Sequence, residues 1–179
     1  RNILRRVILY IAMSLDGYIA DRHGNVDWLN GQDSNEENID TYSDFIKDID
    51  TVVMGWKTYH QVVTELSPNE WIYSALTSYV ITHRALQSTN DIKFVQDDPC
   101  RVVKELKQKS GKGIWICGGA SIIRPLVQAD MIDEYYISII PTLLGAGIRL
   151  WGDTEKELKL KLVQTQSYNG ITEFVYRRR

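Results

Sequence analysis

Ile114-Trp115-Ile116-Cys117-Gly118-Gly119-Ala120-Ser121-Ile122-Ile123-Arg124-Pro125 is the stretch whose reading decides the fold. Its first four residues are apolar and read as a buried strand. Two glycines follow, and then a pattern that continues as a helix. A strand that enters a helix through Gly-Gly gathers backbone N–H groups and a positive helix end at one point, a geometry that favours a phosphate or another anion. The same glycines also suit a tight strand-to-helix turn with no ligand. The stretch by itself leaves both open.

Working outward, residues 7–13 (VILYIAM) are almost wholly apolar, as expected of a central strand covered on both faces. Residues 14–17 break that run, and Tyr18-Ile19-Ala20 resume it briefly. A polar turn and a loop carrying Asp27-Trp28-Leu29 follow. There Trp28 either caps the core or lines a pocket. Ser34 with Glu37 fits a capping box, and Ile39, Tyr42, Phe45, Ile46 and Ile49 recur at helical spacing, which predicts a helix over roughly 35–49. Asp40 and Asp44 would lie one turn apart on it. Residues 50–55 and 78–82 read as strands, the first entering a helix from Trp56 to about residue 65 and the second ending at His83-Arg84. A short strand over 92–95 precedes Asp98-Pro99, which opens a helix reaching about residue 109. Residues 132–140 (IDEYYISII) have strand composition. The final runs, 157–166 and 171–176, flank Asn169-Gly170, a strong hairpin signal. The expectation is one α/β domain over residues 1–179. Its mostly parallel twisted sheet is flanked by helices and ends in an antiparallel C-terminal hairpin.

The 179 residues suit a single core, and 44% hydrophobic with 25% charged residues is ordinary for a globular protein. A net charge of −2 argues against nucleic acid or an acidic membrane surface as the main partner. No apolar run approaches the roughly 20 residues of a membrane span. Cys100 and Cys117, with His23, His60 and His83, make no metal-ligand spacing, so no metal is expected. Cys117 reads as a small core residue, and a reducing, cytoplasmic setting is the simplest expectation.

Three strand ends carry ligand chemistry: Gly55-Trp56-Lys57-Thr58, Thr82-His83-Arg84 and Gly118-Gly119-Ala120-Ser121. Ligands of such sheets sit outside the carboxyl ends of the strands, and together these offer donors and cations to a polyanion. Residues 53–59 (VMGWKTY) resemble the strand–turn–helix of dihydrofolate reductases, where Gly-Arg-x-Thr meets the NADPH phosphates. Ile116-Cys117-Gly118-Gly119-Ala120 resembles the second phosphate turn of that fold. Residues 13–20 (MSLDGYIA) and 141–147 (PTLLGAG) are similar to the reductase domain of bifunctional riboflavin-biosynthesis deaminase-reductases and their stand-alone bacterial relatives. The resemblance covers almost the whole chain. It implies the three-layer dihydrofolate reductase-like fold.

It also implies NADPH as cofactor, with the pyrophosphate on Gly118, Gly119, Ala120 and Ser121, and with Gly55, Lys57 and Thr58 on the phosphate side. The 2′-phosphate would meet Thr82, His83 and Arg84, and the nicotinamide would stack near Ala12, Met13 and Ile19. Trp56 stands where the family carries Arg, so a cation there falls to Lys57 or Arg84. For the proton that accompanies hydride transfer, the resemblance to folate enzymes points to Asp40. Asp16 competes with a turn-fixing role, and Asp27 is a third choice. Asp27, Trp28 and Asp44 are the candidate substrate contacts. The implied reaction is reduction of a pterin-like or aminopyrimidine heterocycle, nearest to the 5-amino-6-(5-phosphoribosylamino)uracil reductase step. Dihydrofolate reduction is the alternative within enzymes, and nucleotide binding without turnover the alternative outside them. A homodimer is expected, because the C-terminal strands would otherwise leave an open edge.

Overall fold

The computed structural model describes residues 5–179, and it places the apolar run after Arg6 at the middle of an eight-stranded sheet. Strand β1 (Val7–Ser14) lies parallel to both its neighbours, β6 (Gly113–Gly118) and β7 (Glu134–Ile140). Beyond β6 come β3 (Ile49–Gly55), β4 (Thr77–Ile81) and β5 (Ile92–Val95), all parallel. Beyond β7 the direction reverses: β10 (Ile171–Arg178) is antiparallel to β7 and pairs with β9 (Leu160–Tyr168) through the Asn169-Gly170 turn. The order is therefore β5-β4-β3-β6-β1-β7-β10-β9, the expected parallel sheet with an antiparallel edge. A second, two-stranded sheet joins β2 (Tyr18–Ala20) to β8 (Ile148–Arg149).

Helices α3 (Pro99–Gln108) and α4 (Ala120–Gln128) cover one face, burying Val102, Val103, Leu106, Ile122, Ile123, Leu126 and Val127 against the sheet. Asp98 caps α3 by accepting the Cys100 N–H at 2.6 Å, as Asp-Pro predicts. The other face is aromatic. Tyr10 stacks on Phe45 with centroids 4.0 Å apart, and Trp115 packs edge-on against both. Helix α2 (Trp56–Gln61) continues as a π-helical turn, Val62–Leu66. Cys117 belongs to this layer, where burial pushes its thiol up to about 12, so it acts as a small apolar residue. Among the described residues no helix is long and apolar enough to cross a membrane.

One expected element is much shorter. The helix predicted over 35–49 is only α1 (Tyr42–Phe45) followed by a 3-10 turn, Ile46–Asp48. The Ser34–Glu37 capping box does not form. A helix would need the Glu36 carbonyl for its own ladder, but here it accepts from the Asn169 side-chain amide at 3.3 Å, as does the Asp33 carbonyl just before the expected helix at 3.0 Å. Asn169 also donates to Asn38 Oδ1 (2.9 Å) and accepts the Asp33 N–H (2.9 Å), so the hairpin tip holds this loop in a non-helical shape. Asn169 and Gly170 both have positive φ, 45° and 76°, as a two-residue hairpin turn requires.

At the amino ends of the parallel strands, buried Arg5 joins four segments. Its guanidinium donates to Asp50 Oδ1 (2.6 Å), Thr51 Oγ1 (2.7 Å) and the carbonyls of Leu106 (2.9 Å) and Lys112 (2.7 Å). Burial pulls the Asp50 carboxyl up, but the Lys112 N–H, the Thr51 hydroxyl and Arg5 together outweigh it and hold it below the usual carboxylate range.

Arg5→Met is expected to lower the unfolding free energy in urea by about 3 kcal/mol at neutral pH. Because the native pKa of Asp50 lies below its unfolded value, its contribution is complete at neutral pH and fades as pH falls through the native value. The gap between parent and variant should therefore narrow below about pH 4; an unchanged gap there would disconnect Arg5 from Asp50. Asn169→Gly keeps the turn's backbone but removes the clamp. Amide exchange over residues 33–38 should accelerate while the central strands stay protected, with a stability loss of about 1–2 kcal/mol.

Candidate active site

The carboxyl ends of β3 and β6 are neighbours, with Met54 opposite Gly118, so two strand-to-helix turns open side by side. A Cβ on Gly55 would come within 3.2 Å of Ile122 on α4, and one on Gly119 would sit 3.8 Å from Thr58 Oγ1. Gly118 has φ +127° and precedes a cis peptide, a backbone that L side chains rarely adopt. Gly119 is the cap residue of α4 and has no side chain with which to bond the helix's first N–H groups. The Ile122 and Ile123 N–H groups bond the Gly119 carbonyl, both at 3.0 Å, which leaves the Ala120 and Ser121 amides of α4 as open donors near the Ser121 and Thr58 hydroxyls. This donor set fits a dinucleotide pyrophosphate.

The third strand end adds the cation. Arg84, just beyond β4, lays its guanidinium over the Trp56 ring at 4.5 Å, and His60 stacks on the same indole. The backbone N–H of Arg84 is held by Thr82 Oγ1 at 3.1 Å. Trp56, where the resembled family carries Arg, is therefore a platform for an arginine arriving from the next strand. Lys57, His83 and Arg84 are all exposed.

On the other side of β6, the predicted nicotinamide residues divide between the two faces of the sheet. Ala12 lines a cleft of about 280 Å3, whereas Met13 and Ile19 pack on the core beneath α3 and α4. Asp16 is committed to a turn. Its carboxylate accepts from Ser14 Oγ (2.5 Å) and from the N–H groups of Leu144 (3.1 Å) and Gly145 (2.8 Å). These bonds, Ser14's foremost, hold its carboxyl below the usual range. The role of Asp16 is to tie residues 14–17 to the glycine-punctuated loop, and it does not line the cleft.

The cleft wall contains Asp40, placed before α1 rather than on it, at an exposed position. Asp40 accepts from the Ser43 hydroxyl (2.6 Å) and N–H (3.1 Å), which hold its carboxyl low and make it a weak proton donor at neutral pH. The other substrate candidates lie elsewhere. Asp44 pairs with Lys47 at 3.0 Å in solvent, Asp27 is exposed, and Trp28 donates its indole N–H to the Asn25 carbonyl at 3.1 Å. Shortening of the predicted helix removed the face on which Asp40 and Asp44 were expected to lie one turn apart.

The carboxylate at the back of the cleft is Glu173, which the sequence reading missed. It is 3% exposed and lies in one row across the sheet with Ala12, Ser138 and Gln166. Five donors converge on it: Gln166 Nε2 (2.8 Å) and the hydroxyls of Tyr168 (2.8 Å), Ser138 (3.0 Å), Thr41 (3.1 Å) and Tyr136 (3.4 Å). Tyr10 meets the Thr41 hydroxyl at 3.3 Å, and burial pushes its phenol up to about 12. Burial first and Glu173 second raise Tyr168 as well. A signal was present: in ITEFV, Glu173 alternates with Ile171 and Val175, so it had to face inward with them.

Comparison with known proteins agrees with this architecture. The family described as the RibD C-terminal domain matches residues 5–172. The uncharacterised protein YwjB of Bacillus subtilis is 36% identical over 175 residues, covering 96% of this chain and 97% of that one. The riboflavin biosynthesis protein RibD of Haemophilus influenzae is 24% identical, and the match spans about half of it (49%). Among solved structures, a Shewanella sp. PV-4 protein assigned to riboflavin biosynthesis superposes with a TM-score of 0.83 at 30% identity, covering 97% of this chain and 99% of that one. Enterococcus faecalis dihydrofolate reductase, solved with NADP(H), shares the fold with a TM-score of 0.64 at 14% identity, covering 98% and 99%. By the extent of the family match and its identity to YwjB, the chain belongs to the RibD C-terminal domain family.

Proposed function

We propose that the protein is an NADPH-dependent reductase of a pterin-like or aminopyrimidine heterocycle, nearest in activity to 5-amino-6-(5-phosphoribosylamino)uracil reductase. The observation that carries this reading is adjacency. The phosphate-binding turns at Gly55 and Gly118-Gly119 and the polar cleft behind Ala12 open at the same carboxyl edge of the sheet, on either side of β1.

NADPH, when bound, supplies the hydride. The chain's own residues bind and orient. The first amides of α4, with Ser121 and Thr58, hold the pyrophosphate. Arg84, stacked on Trp56, meets the 2′-phosphate beside Thr82 and His83, with Lys57 adding charge. Ala12, with no side chain beyond Cβ, lets two flat rings approach across β1. Thr41, Ser138 and Tyr168 position the substrate ring, and Asp40 stands at the rim. A cytoplasmic setting and a homodimer belong to the same reading. The two cysteines are free, and the edge strand β9 exposes Leu162 and Val163.

Fluorescence titration should show NADPH binding more tightly than NADH; binding of neither would sink the reading. Gly119→Val is expected to fold, because φ there is −85° and a Cβ has room, yet to weaken NADPH by about tenfold or more by filling the space beside Thr58. Turnover of the ribosylaminouracil substrate, set against dihydrofolate, decides between the two heterocycles. Light scattering should give about twice the 20.6 kDa chain mass.

A further inference from the structure

We infer that Glu173 is a specificity-setting positioning residue: by drawing the protons of the surrounding hydroxyls to itself, it turns their lone pairs toward the cleft and selects ligands that present a hydrogen-bond-donating edge. This deepens the reductase reading and rests on it for the cleft being the substrate site.

The argument starts from what a buried carboxylate can accept. An ionised glutamate has no proton to give, and its two oxygens offer about four lone-pair sites. Here five donors share them, and no cation is among the five. Glu173 is therefore saturated and has no capacity left for a ligand. Gln166 and Tyr136 approach one carboxylate oxygen and Thr41, Ser138 and Tyr168 the other, so each hydroxyl directs its proton backward, the last three sharing two lone pairs. Thr41, Ser138 and Tyr168 also line the cleft, so what they present forward is oxygen lone pairs. The same logic orders the next contact. With its proton on Glu173, Thr41 can only accept from Tyr10, so Tyr10 donates and its oxygen too is left as an acceptor.

The rest of the lining adds two groups that can still donate, the Asn38 amide and the Tyr42 hydroxyl, and one further acceptor. Asp40 adds a carboxylate at the rim, and among the described lining residues there is no Lys, Arg or His. Ring N–H and amino groups fit such a surface. A methoxy or carbonyl edge would face lone pairs with lone pairs, leaving polar atoms unpaired on both sides. An anionic substituent such as a ribosyl phosphate would have to lie outside this cleft. The ligand class is a neutral or cationic nitrogen heterocycle whose buried edge carries adjacent N–H donors.

Two probes of one shape test this: 2,4-diaminopyrimidine, whose exocyclic groups donate, and 2,4-dimethoxypyrimidine, whose groups only accept. Calorimetric titration of the full chain should show the diamino compound binding at least about tenfold more tightly. In Glu173→Gln the new amide must donate to one of the hydroxyls, freeing that hydroxyl's proton. The preference should then collapse by about tenfold, through weaker diamino and unchanged or stronger dimethoxy binding, while NADPH affinity stays within about twofold. Thr41→Val, which removes one forward-facing oxygen and leaves four donors on Glu173, should weaken the diamino probe alone. It serves as the second variant if Glu173→Gln unfolds. No diamino preference in the parent, or equal loss of both probes in the variants, overturns the inference. NADPH binding, titrated separately, reports on the reductase reading and fails independently of either result.

Discussion

The pairing of β1 with β6 on one side and β7 on the other is the constraint from which both sites follow. In register, Leu9 faces Ile116 across one ladder, and Ala12 faces Ser138 across the other. Side chains alternate faces along a strand, so a slip of one residue would exchange every inward group for an outward one. With the observed register, the β6 ladder delivers Gly118-Gly119 to the edge where β3 delivers Gly55. The β7 ladder delivers Ser138 to the row that Glu173 and Gln166 complete. The apolar burial of residues 7–9 fixes this strand, and the polar chemistry is carried by the strands on either side.

The two sites have opposite hydrogen-bonding character, and each gets it from backbone direction. At the carboxyl ends of β3 and β6 the chain turns into helices, so unpaired N–H groups face outward and the surface is donor-rich. On the other side of β1 the sheet turns antiparallel beyond β7. No helix starts there, and the polar groups come from side chains gathered on a buried carboxylate. A dinucleotide polyanion suits the first, a donor-edged heterocycle the second. Their placement on either side of one strand keeps the donor-rich and the acceptor-rich surfaces separate.

Much of the fold was legible because its signals are local. The apolar run 7–13, the Asp98-Pro99 start, the Gly118-Gly119 turn and the Asn169-Gly170 hairpin each carry their own chemistry, and the strands around them fall within a few residues of expectation. The helix over 35–49 was misread because its disproof is non-local: the amide that takes the Glu36 carbonyl sits more than 130 residues away. The two turns at Gly55 and Gly118-Gly119 were readable for the same reason as the fold, since glycines and hydroxyls at strand ends announce themselves. The cleft was not, because Glu173 takes its place at the back of it only through a row that spans four strands. Asp16 illustrates the converse. An acid beside a glycine in a turn invites a chemical role, and its bond from Ser14 and two more from a distant loop account for it instead.

The clamp at Asn169 has a kinetic meaning. The segment it grips leads directly into Asn38, Ile39, Asp40 and Thr41, which form one wall of the cleft, whereas the opposite wall is the sheet itself. One wall is thus part of the sheet, and the other is fastened at two places, to the hairpin tip through Asn169 and to the sheet through Thr41. Opening that wall would break the Asn169 and Thr41 bonds and leave every strand ladder intact, so its freedom to move is set in part at residue 169, away from the carboxylate at the back of the cleft.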